Sequence, residues 1–135
     1  MKVRLMLCAI GISIDRKSNN VTAFNILEEI SAANFPAFIP EMYCLIVLDK
    51  TETPEEPPNF TLVAQLGDEE LFKRDFAINF QDKKRHRYSI GLAGLVLNRP
   101  GNLEFRIYQS EKLITTYEIE IIKTGKVEAE VEDIS

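Results

Sequence analysis

Apolar and polar residues alternate along most of the chain, and the alternation is clearest from Tyr88 to Ile122. In its first run Tyr88, Ile90, Leu92 and Val96 share one parity, while Ser89, Gly91 and Ala93 on the other are small. Asn98-Arg99-Pro100-Gly101 follows as a turn, where Pro pre-sets the first corner and Gly accepts the positive φ of the second. The second run turns Leu103, Phe105 and Ile107 inward and Glu104 and Arg106 outward. After Gln109-Ser110-Glu111-Lys112 the third places Leu113, Thr115, Tyr117, Ile119 and Ile121 on one face and Glu118 and Glu120 on the other. A period of two held through consecutive segments predicts an antiparallel meander with one wet face.

Earlier segments carry the same signal with breaks. Val3, Leu5, Leu7 and Ala9 are odd, whereas Ile10, Ile12 and Ile14 are even, so the phase slips between Ala9 and Gly11 and predicts a bulge or bend there. Asp15 to Asn20 is a polar loop, and Val21 to Ile30 reads as one strand, with a helix over Phe24 to Ala33 as the competing reading. Phe35-Pro36 and Ile39-Pro40 bracket a connection. Tyr43 to Leu48 is apolar at both parities, which suits a central strand covered on both faces. Asp49 to Asn59, with three prolines and three glutamates, is the longest predicted loop and is expected to be exposed. Phe60 to Leu66 and Leu71 to Phe80 form a hairpin around Gly67-Asp68-Glu69-Glu70, and Gln81 to Arg87 is a charged loop. The pattern adds up to an all-β, antiparallel β-sandwich of about eight strands over residues 1–122, of immunoglobulin-like or C2-like type. Residues 123–135 are an acidic tail; Val127, Ala129 and Val131 alternate there with Glu128, Glu130 and Glu132, so the segment reads as solvated or as a strand seeking an edge.

At 135 residues the chain has the length of one domain that buries a core without metal or disulfide staples. Its net charge of −5 argues against general nucleic-acid or anionic-membrane binding, which needs an excess of Lys and Arg. Met1 to Ile14 imitates a signal sequence, but Arg4 interrupts the apolar run and no small-x-small site follows, so it reads as a strand. A cytoplasmic location and free thiols at Cys8 and Cys44 are the matching expectations.

Leu7-Cys8-Ala9, the polar turn, Asn20 to Ile30, Phe35-Pro36 and the late Pro100-Gly101 together resemble a family of small uncharacterised bacterial β-sandwich domains. The likeness covers most of residues 3–122. The chain differs at Asn19 and Asn25, where glycines are common in that family, and at Ala9, where an Asp is frequent. The resemblance implies the fold and carries no activity.

Chemistry is sparse. A cysteine nucleophile at Cys8 or Cys44 would have to use His86, the only histidine. Buried small core residues are the commoner role for such cysteines. Lys83, Lys84, Arg85, His86 and Arg87 form a basic cluster that would meet an acidic partner or a phosphate, against the simpler reading of a solvated loop. Without interleaved aromatics other than Tyr88, it is a poor stacking platform for single strands. The loop acids Glu52, Glu55, Glu56, Asp68, Glu69 and Glu70 lack calcium-loop spacing, and Glu28 and Glu29, adjacent in a strand, point to opposite faces and cannot flank one bond. No metal, cofactor or catalytic residue is therefore assigned. The expectation is a non-catalytic module that meets another protein, or a copy of itself, through sheet edges, the Asp49 to Asn59 loop or the acidic tail. The alternative is an enzyme or small-ligand binder with its site at the loop end of the sandwich.

Overall fold

A computed structural model of the chain describes residues 2–50, 59–78 and 83–124. They form nine strands: β1 (Lys2–Ile14), β2 (Val21–Ile26), β3 (Glu29–Ala32), β4 (Ala37–Asp49), β5 (Asn59–Leu66), β6 (Glu69–Ala77), β7 (Arg85–Leu97), β8 (Gly101–Gln109) and β9 (Lys112–Lys123). Two sheets pack as a sandwich, one in the order β2-β1-β4-β7 and the other β3-β9-β8-β5-β6. Every pairing is antiparallel except that of β3 with β9.

Alternation explains the core. Cys8, Met42, Cys44, Ile46, Leu48, Ile90 and Leu92 from the first sheet meet Phe60, Leu62, Ala64, Leu66, Leu103, Phe105, Ile107, Ile119 and Ile121 from the second. Burying such side chains is worth about 1.5–3 kcal/mol each, which drives the two layers together. β4 is the central strand that its doubly apolar run predicts: Cys44, Ile46 and Leu48 face the other sheet, while Leu45 and Val47 are buried on the outer side.

The structure departs from the sequence pattern wherever a strand leaves its sheet. The run from Tyr88 to Ile122 is not one meander, because β7 pairs with β4 while β8 and β9 form a hairpin in the opposite sheet. The Asn98 to Pro100 connection therefore bridges the two layers. Likewise Val21 to Ile30 divides: Asn25 takes a φ of 52°, β2 stops at Ile26, and the chain crosses to the second sheet as β3. This division, together with the parallel β3 and β9 pair, accounts for nine strands against the predicted eight or so.

Parity also flips inside strands. Ile39 and Leu95 are paired and buried, as are Met42 and Leu92, so both strands change face at the intervening Pro40 and Gly94. Gly94 has a φ of 73°, which lets the strand kink without a Cβ clash. Val96, expected inward, is consequently exposed, and Leu95 and Leu97 take its place. In β9, a register shift beside Ile107 leaves Leu113 exposed and packs Ile114 against the core instead.

Of the bulge or bend predicted near Ala9, no bulge is present there. The irregularity falls between Val3 and Leu5, and pairing with β2 runs without a shift from Ala9 to Ile14. What changes at Ala9 is the partner: β4 pairs with Lys2 to Ala9, and β2 with the rest. Freed from β4, the β1–β2 hairpin reaches back over the outer face, where the Arg87 guanidinium donates to the Asn19 carbonyl at 2.9 Å and to its side-chain oxygen at 3.2 Å. Ala9, Leu45 and Val47 are buried yet lie outside the inter-sheet cluster, on the face opposite Cys8, Cys44 and Ile46. Ile10, Ile14, Phe24 and Ile26 on the arm remain exposed.

The predicted hairpin at Gly67 forms between β5 and β6, with Gly67 at a φ of 59°. Most of the Asp49 to Asn59 loop, and the tail beyond Thr124, lie outside the described residues.

Candidate functional site

Of the predicted basic cluster, Arg85, His86 and Arg87 open β7 in place of the expected loop, and Lys83 and Lys84 immediately precede it. Register explains what they join. Lys2 of β1 lies opposite Asp49 of β4, and Asp49 lies opposite Arg85 of β7. The Lys50 amide donates to the Lys84 carbonyl at 2.8 Å. Three strand ends thus bring Lys2, Arg4, Lys50, Lys83, Lys84, Arg85 and Arg87 to one end of the first sheet, where among the described residues the carboxylate of Asp49 lies in their midst. Asp49 accepts from Arg85 at 2.9 Å and from Arg4 at 3.4 Å. The Arg85 hydrogen bond, followed by that of Arg4, holds its carboxyl below the ordinary range.

Not all of these cations serve the same purpose. Arg87 anchors the arm through Asn19, and Arg85 neutralises Asp49. Lys83 and Lys84 stand exposed at the entry to β7. His86 is part-buried opposite Leu48; loss of water, with a smaller contribution from Lys83, lowers its pKa and favours the neutral imidazole. Lys2, Arg4 and Lys50 were not legible as part of the cluster, since they sit far from it in sequence and only strand register brings them in.

The cysteines are elsewhere. Cys8 and Cys44 are direct cross-strand neighbours, both reduced and both fully buried on the core face. A hydrogen bond with Cys44, then burial, pushes the Cys8 thiol far above its ordinary value, the opposite of what a nucleophile needs. His86 lies four residues along β7 from Ile90, the partner of Cys44, a separation of roughly 13 Å at the strand rise of about 3.3 Å per residue. No Cys-His dyad is assembled. Tyr117 bridges the sheets at the same level by donating to the Leu27 carbonyl at 2.6 Å.

Among the described residues, no three His, Cys, Asp or Glu side chains cluster as metal donors. Glu52, Glu55 and Glu56 lie outside them. No helix of the described residues is long and apolar enough to cross a membrane.

The remaining candidate is backbone. β7 ends its sheet, so over Ser89 to Leu97 one side of its peptide groups has no strand beside it among the described residues. The other sheet ends are β2 with six residues, β3 with four, and β6, which carries Glu70, Lys73, Arg74 and Asp75 exposed. β7 has 13 residues and no charge from Tyr88 onward. Fold and site together define a β-sandwich with one long uncharged edge that begins in a positive pole. No protein-family model matches the chain, and no curated protein is similar to it.

Proposed function

We propose that this chain is a non-catalytic protein-binding or assembly module that works through an exposed sheet edge. The observation that carries the reading is the edge of β7, which has no strand beside it among the described residues, since a row of open N–H and C=O groups is a template for another extended chain. The burial of both Cys8 and Cys44, the raised pKa of Cys8 and the separation of Cys44 from His86 along the strands support it by weighing against a cysteine nucleophile.

The likeness to small bacterial sandwich domains bears on the fold and carries no activity. Asn19 and Asn25, which replace glycines common in that family, both adopt positive φ, at 60° and 52°. Asn is the non-glycine residue that tolerates this conformation best. We take the chain to be a member whose turns are retained with different side chains.

The test is reconstitution. Partners captured by the full chain are purified and titrated back in sedimentation velocity, beside the chain alone. Formation of a stoichiometric complex, with another protein or a second copy, supports the module. A chain that stays monomeric and forms no complex with any purified candidate overturns it.

A further inference from the structure

We infer that β7 is the docking strand of this module and that its ligand is an extended segment of another protein, uncharged over most of its length and acidic at its C-terminal end, added antiparallel to β7. The inference rests on the reading above and narrows it to one edge, one orientation and one chemistry.

Three observations lead there. First, the other sheet ends are shortened or charged, and such features block strand addition, whereas Ser89 to Leu97 has neither protection. Second, the outward residues of β7 near its middle, Ser89, Gly91 and Ala93, are small and exposed, so an incoming strand meets no bulky side chain along that stretch. Third, the positive pole sits at one end only. Among the described residues, Lys83 and Lys84 precede β7, and Arg4 and Arg85 share the carboxylate of Asp49, on a chain whose net charge is −5. A strand running antiparallel to β7 reaches this pole with its C-terminal residues, so carboxylates belong there. The pole then fixes register and direction, which backbone pairing alone leaves open.

The experiment titrates the full chain against a fluorescein-labelled nonapeptide, Thr-Val-Thr-Val-Thr-Val-Glu-Glu-Asp, by anisotropy. Controls are the same peptide ending in three lysines and a single-stranded oligothymidine. Lys83→Glu combined with Lys84→Glu is expected to weaken the acidic peptide by about tenfold or more. Ala93→Lys, which sets a charge on an exposed position beside the edge, is expected to weaken it similarly, and Arg74→Glu on β6 to leave it unchanged. Thermal unfolding of each variant confirms that the fold is retained. Hydrogen exchange on the bound chain is expected to slow at alternate amides between Ser89 and Leu97.

Equal binding of the lysine peptide, protection on β2, β3 or β6 in place of β7, or tighter binding of the oligonucleotide would each overturn the inference. Self-association through β7 that excludes the peptide would overturn it too, in favour of a second copy as occupant. If the chain still assembles with a purified partner while the β7 variants behave as wild type, the docking strand is misplaced and the module stands. If no polypeptide binds at all, both fall.

Discussion

β6 and β7 end their respective sheets on the same side of the sandwich, tied by the stack of Phe76 on Tyr88 with ring centres 4.6 Å apart, and they handle an open edge in opposite ways. β6 sets Glu70, Lys73, Arg74 and Asp75 in water, and Asp75 accepts from Thr61 at 2.6 Å, so an incoming strand would have to desolvate several charges. β7 confines its charges to the first three residues and leaves the rest plain. Both strands pack their inner faces into the core, β7 through Ile90, Leu92, Leu95 and Leu97 and β6 through Phe76 with the partly buried Leu71 and Phe72. The difference lies on the faces and edges that folding itself does not constrain. Where stability is indifferent, sequence differences are free to serve association.

The comparison can be broken most severely from inside. Phe76→Ala removes the ring shared by Phe60 and Tyr88 and should cost about 3–5 kcal/mol, read from urea unfolding. A loss under about 1 kcal/mol would mean that the two edges are not held together by this stack.

A backbone change comes next. Gly94→Val forces a β-branched residue into a φ of 73° and should destabilise by about 1–3 kcal/mol. If unfolding is unaffected, the paired face change at Pro40 and Gly94 is not what shapes the far half of β7.

Edge protection itself is tested by exchanging properties. Replacing Lys73, Arg74 and Asp75 together with Thr should alter stability little and give β6 the character of β7, so that sedimentation velocity shows new, concentration-dependent association. A strictly monomeric variant would show that charge is not what guards β6.

The smallest effect concerns the pole. The Asp49 pKa is depressed, so its contribution is fully present above the ordinary value of 3.8 and is lost as pH falls through the lower folded value. Asp49→Asn should therefore lower the melting temperature slightly near pH 7 and flatten its fall between about pH 4 and pH 2, so that variant and parent converge in acid. A parallel loss in both proteins across that window would remove Asp49 as an acid-sensitive contact.

The sandwich was legible because burial in strands has a period of two, and that period survives in Leu103, Phe105 and Ile107 or in Phe60, Leu62 and Ala64 without knowledge of any partner. The doubly apolar β4 marked a central strand for the same reason. The basic run Lys83 to Arg87 could be seen as a run, but its recruitment of Lys2, Arg4 and Lys50 could not.

Local pattern by itself determined which residues turn inward along unbroken stretches of strand, because alternation is a property of a strand's own backbone, but not past the kink at Gly94 or the register shift beside Ile107, where Val96 and Leu113 are exposed. Tertiary structure alone decided that β7 and β8 belong to different layers, that Val21 to Ile30 divides between sheets, that the β1–β2 arm folds over the outer face, and which strands are left at the ends. An edge exists only once every other pairing has been made. Hydrogen-bond partners distant in sequence compete for each strand, and their outcome leaves no mark in the residues of the strand that remains uncovered.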